Sequence, residues 1–94
     1  MVTGEVLINN QPARGKLTRF IDKKIQQWLE TRAVQGANES EELAYRVALE
    51  LDEDEKQVSC ETEIAVGGSV YRGCDLASDT QQAFIHSLKR MQPH

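Results

Sequence analysis

The chain has 94 residues, 39% hydrophobic and 28% charged, with a formal net charge of −4. That length supports one domain with one modest core, spanning 1–94, and the composition excludes disordered, fibrous and disulfide-dense classes. No apolar run approaches a membrane span, and MVTGEVLINN has neither a basic nor an apolar leader region, so a cytoplasmic protein with no membrane partner is expected.

Glu5 to Asn9 (EVLIN) is a short apolar run that reads as a first strand, broken by Asn9-Asn10-Gln11-Pro12. From Ala13 to Arg32 the pattern becomes helical, with Leu17, Phe20, Ile21, Ile25 and Trp28 in one stripe that must face a core. Lys16, Arg19 and Lys23 stand one turn apart beside that stripe, with Gln26 and Gln27 beyond them, while Lys24 falls inside the apolar sector and is expected to extend its ammonium past Trp28. A ridge of this kind is either a solvated helix face or a surface that tracks a nucleic-acid backbone.

Val34 to Glu42 (VQGANESEE) is a polar connection. Ala44 to Asp52 alternates as a strand, with Tyr45, Val47, Leu49 and Leu51 inward. The run Asp52-Glu53-Asp54-Glu55-Lys56 reads as a solubilising turn; a calcium loop would need alternating oxygen ligands around a glycine bend, which is missing. Charge is therefore segregated: Arg14 to Lys24 holds five bases and one acid, whereas Glu39 to Glu63 holds ten acids against Arg46 and Lys56.

Val58, Cys60, Thr62, Ile64 and Val66 define the inner face of a further strand, with Ser59, Glu61, Glu63 and Ala65 outward. Gly67-Gly68 turns the chain into a last strand, where Val70, Arg72, Cys74 and Leu76 are expected inward and Tyr71 outward. A loop of three or five residues there would put Cys60 and Cys74 on one face, close enough to touch but reduced in a cytosolic chain. Ser78 and Gln81 form a capping-box pattern opening a helix from Thr80 to Met91, with Ala83, Phe84, Leu88 and Met91 inward and Gln82, His86, Lys89 and Arg90 outward.

The order β-α-β-β-β-α implies an α+β two-layer sandwich, a four-stranded sheet with both helices on one face. On that arrangement the helix backs form one surface carrying Lys16, Arg19, Lys23, Lys89 and Arg90, suited to RNA phosphate or simply solvated. The opposite face would carry Glu61, Glu63 and Tyr71, and the strands at Glu5 to Asn9 or Ser69 to Leu76 could pair with a second copy as sheet edges. Two histidines placed apart supply no zinc set, and no nucleophile, carboxylate pair in a groove or phosphate loop is legible, so neither metal, cofactor nor enzymatic activity is expected.

The segment VSCETEIAVGGSVYRGCDLASDTQQAFIHSLKRM resembles the last third of the ribosome hibernation-promoting factor family, also called ribosome-associated inhibitor or sigma-54 modulation proteins, and KLTRFIDKKIQQWLE resembles that family's amphipathic first helix. Asp79 and Ala83 stand where the family's helix motif begins, Gln81 replaces its tyrosine, and Ile85 and His86 also depart from it. The resemblance implies a short form without the C-terminal dimerisation domain of long members, a small-ribosomal-subunit partner, and rRNA contacts at Lys16, Arg19, Lys23, Lys89 and Arg90 that hold ribosomes inactive under stress. The competing reading is a protein-interaction module that uses the acidic loop at Asp52 to Glu55 or the open sheet face.

Overall fold

Period-two strands and two amphipathic helices build a mixed sheet with one covered face; the computed structural model describes residues 2–32, 43–54 and 56–93, and the connection at Val34 to Glu42 lies outside them. β1 (Val2–Ile8) turns at Asn9 and Asn10, both at positive φ (51° and 66°), a conformation asparagine tolerates better than most residues. The segment expected to break the strand therefore forms a hairpin to β2 (Gln11–Pro12). The Asn9 side chain also accepts from the Leu51 amide at 3.0 Å, extending the pairing with the neighbouring strand.

α1 (Lys16–Arg32) crosses the sheet, so that β3 (Leu43–Asp52) runs parallel to β1 with Val6 opposite Val47. β4 (Gln57–Val66) and β5 (Ser69–Ala77) complete an antiparallel meander, α2 (Thr80–Lys89) folds back over it, and β6 (Gln92–Pro93) pairs with Tyr71 and Arg72. Among the described residues the strand order is β2-β1-β3-β4-β5-β6. The α+β class is as expected, but the sheet is mixed and carries two short strands beyond the expected four. Those short strands occupy part of both edges that the sequence offered for pairing with a second copy, at Leu7 and Ile8 and at Tyr71 and Arg72.

The core lies between sheet and helices: Val6, Val47, Leu49, Val58, Cys60 and Ile64 meet Ile21 and Ile25 of α1, Ala83 and Phe84 of α2, and Met91. Each large apolar side chain buried there contributes about 1.5–3 kcal/mol. Phe20 and Phe84 meet edge to face at 6.3 Å, so both helices cover the same side. Tyr45 reaches across Gly4 to donate its hydroxyl to Asp22 of α1 at 2.9 Å. Burial, then the Asp22 carboxylate, holds this phenol far above its ordinary range.

The glycine turn has two residues, with Val66 opposite Ser69 and positive φ at Gly67 and Gly68 (59° and 78°), the geometry whose twist suits a hairpin. This loop length reverses the expected facing of β5, because a one-residue change of register moves every side chain to the other side. Tyr71, Gly73 and Asp75 lie opposite Ile64, Thr62 and Cys60 and face the helices, whereas Arg72 and Cys74 face away. Tyr71 packs edge-on against Trp28 at 5.3 Å instead of joining the open face. Cys60 is buried and Cys74 exposed on opposite faces, so the expected proximity on one face is overturned.

Gly73 has a packing role: a methyl there would overlap the Ser87 carbonyl and approach the Met91 amide at 2.9 Å, so glycine lets the last turn of α2 rest directly on β5. Beneath that turn, the fully buried Thr62 and Ser87 share a 2.8 Å hydrogen bond, and Ser87 donates to the Phe84 carbonyl at 2.7 Å. A donor order running from the Cys60 thiol through Thr62 and Ser87 to that carbonyl satisfies the whole group. Burial pushes the Cys60 thiol up, against the two hydroxyls that pull it down. The N-cap of α2 is Asp79 and not Ser78: its carboxylate accepts from the Gln82 amide at 2.8 Å, and the helix closes at Lys89, short of the expected Met91.

A native-state thiol titration should therefore consume Cys74 rapidly and Cys60 only on unfolding; two fast thiols would contradict the register. Gly73→Ala should lower stability by about 1–3 kcal/mol in denaturant melts. Tyr45→Phe should cost about 1 kcal/mol at neutral pH. Because the folded phenol titrates above the unfolded value of about 10, its contribution is complete below that pH and declines as pH rises past it. The stability gap between parent and Tyr45→Phe should accordingly shrink only above about pH 10.

Candidate nucleic-acid interface

With Ile21 and Ile25 seated in the core, helical geometry turns Lys16, Arg19 and Lys23 to the opposite side of α1, and all three are exposed. None of them pairs with a described acid; the ion pairs among the described residues are Arg46–Glu5, Arg72–Glu63 and Arg90–Asp75. Asp22, the one acid in this basic stretch, is taken up by Tyr45 and by Gln26, whose amide donates to it at 2.6 Å. Glu30 is exposed two turns beyond Lys23 and interrupts the ridge towards the end of α1.

Lys89 is exposed on α2 and likewise pairs with no described acid. Arg90 stands differently. Its Nε donates to Asp75 at 2.7 Å, and this bond, together with the Leu76 amide, holds the Asp75 carboxyl below its usual range. The register that faces Asp75 towards the helices thus engages one of the five expected cations. His86, expected on the surface, is half-buried with Nδ1 3.4 Å from the Leu76 carbonyl oxygen.

Sequence reasoning missed a groove between the helices. Lys24, Gln27, Trp28 and Thr31 of α1 and Ile85, Leu88 and Lys89 of α2 enclose about 320 Å³, with Trp28, Ile85 and Leu88 partly buried against the core. Lys24 does not extend past Trp28 as expected; its Nζ lies 5.8 Å from the centre of the Phe20 ring, a cation–π contact at the groove margin. The signal available in the sequence was the pair Ile85 and Leu88, spaced i,i+3 and offset from the core positions Phe84 and Ser87.

The other sheet face carries a row of paired charges. Glu5, Arg46, Glu63 and Arg72 form a row of alternating sign across β1, β3, β4 and β5, with Arg72 Nε donating to Glu63 at 3.1 Å. Such exposed pairs add little stability, and Glu50 and Glu61 on the same side leave that face with an excess of acid. Acid excess collects at the β3–β4 turn, where Glu50, Asp52, Glu53 and Asp54 surround a depression together with the exposed Leu51 and Leu76. Among the described residues no three acids, histidines or cysteines are grouped to hold a metal ion, and no helix is long and apolar enough to cross a membrane.

No protein-family model matches the chain, nor does any curated protein sequence. Among solved structures it is similar to the N-terminal domain of Protein Y from Thermus thermophilus, with a TM-score of 0.73 and 18% identity over 96% of this chain and 90% of that one. It is also similar to a ribosomal subunit interface protein from Coxiella burnetii, with a TM-score of 0.66 and 9% identity over 95% of this chain and 87% of that one. At these identities the likeness establishes a shared fold across nearly the whole chain, with two helices over one face of a mixed sheet.

Proposed function

We propose that this chain is a ribosome-associated translation regulator that lays its helical layer on the RNA of the small subunit and holds ribosomes inactive under stress. The carrying observation is that Lys16, Arg19, Lys23 and Lys89 are exposed on the helices and pair with no described acid. The shared fold with a ribosomal subunit interface protein supports the same reading. Cations that meet phosphate release condensed counterions, which contributes to binding even when the protein as a whole is acidic. Four such contacts give a binding constant that falls with salt at a log–log slope of about −3.

A second reading is favoured by one observation, the exposed Leu51 and Leu76 beside the carboxylates of the β3–β4 turn, which suit a basic protein partner. Co-sedimentation with isolated small subunits at low salt separates the two. The reversal Lys16→Glu/Arg19→Glu/Lys23→Glu should abolish binding, while Leu76→Asp leaves it intact. Retention of binding in the triple variant and loss in Leu76→Asp would place docking at the acidic end instead.

A further inference from the structure

We propose that the groove between α1 and α2 receives one unpaired base of single-stranded RNA, with the phosphates on either side of it held by Lys24 and Lys89. The inference rests on the RNA reading of the helical layer and specifies which form of RNA that layer takes. A duplex presents phosphate and sugar outward and keeps its bases stacked, so it has nothing to place against an apolar floor. The floor here is apolar: Trp28, Ile85 and Leu88 are partly buried, and the aromatic ring is braced from below by Tyr71. An extruded base gains from such a surface in a way that tolerates any sequence, because every base has an apolar face.

The lining matches a nucleotide in charge as well. Lys24 comes from α1 and Lys89 from α2, and none of the described residues that line the groove is acidic, so the two helices each bring a cation to a space of about 320 Å³. A base within a strand has a phosphate on each side, which is the pattern those two ammonium groups accept. Polar edges are available too. Gln27 offers an amide, and Thr31, whose hydroxyl donates to the Gln27 carbonyl at 2.9 Å, keeps its oxygen lone pairs for accepting. The cationic ridge of Lys16, Arg19 and Lys23 lies on the same helix and provides the continuing path for the strand.

Trp28 is the sole tryptophan, so its emission reports the groove directly. The full chain is titrated at low salt with a short single-stranded adenylate oligonucleotide, with an RNA duplex of equal charge, and with a polyglutamate peptide containing leucine. The single strand should quench Trp28 saturably and the other two should not. Lys89→Glu, at an exposed position, and Lys24→Glu, which also gives up the contact with the Phe20 ring, should each weaken the single strand about tenfold and lower its salt slope by about one. No saturable change with the single strand overturns the proposal. Equal quenching by the duplex overturns base insertion, and stronger quenching by the peptide assigns the groove to a protein partner. A silent Trp28 alongside intact small-subunit binding removes the groove and leaves the ribosomal reading standing; specific quenching without subunit binding does the reverse.

Discussion

The register of the β4–β5 hairpin is the constraint on which the remaining structure depends. A turn of only Gly67 and Gly68 pairs Val66 with Ser69, and everything downstream is set by that parity. It places Gly73 beneath α2, where the absence of a side chain lets the helix settle on the strand. It sets Tyr71 under Trp28, which seats α1 beside α2, and it directs Asp75 towards Arg90. Arg72 and Cys74 are expelled to the solvent side by the same step. Shift the pairing by one residue and an arginine and a thiol would enter a core built around fully buried Ile64 and Phe84, while the helix lost its seat.

That seating decides how an acidic chain can present cations. The helical layer is lined by lysines and an arginine that pair with no described carboxylate, since the nearby Asp22 is occupied by Tyr45 and Gln26. The acids accumulate at the β3–β4 turn, whereas the groove lies over the other end of β4, where Tyr71 pairs with Ile64. The eight residues from Gln57 to Ile64 separate the two by roughly 23 Å of strand. This exceeds the screening length of about 8 Å at physiological salt, so the two ends act nearly independently on a polyanion. The negative end then favours approach with the helices leading.

Much of this was legible in the residues. The 3.6-residue stripe of α1, the alternation in β3 and β4, and the β-α-β-β-β-α order all follow from hydrophobic periodicity, which tertiary packing reinforces. The facing of β5 was not, because its two phases look similar: Val70 and Leu76 favour one, Tyr71 and Ala77 the other, and only the turn length chooses. The cap escaped for a related reason, since Ser78 and Asp79 are adjacent capping residues with a glutamine three positions on from each. At the site, the exposed ridge of α1 followed from the helical wheel, whereas the engagement of Arg90 required knowing where Asp75 points, and the groove required two helices to be placed side by side.

On the proposed reading the helices, and not the acidic turn, meet the RNA. Hydroxyl-radical footprinting of the chain bound to small subunits tests it most directly, because oxidisable side chains mark both ends of the molecule. Binding should protect Ile85, Leu88 and Trp28 and leave Leu51 and Leu76 as reactive as in the free chain. Protection of Leu51 and Leu76 with unchanged oxidation along the helices would contradict that reading.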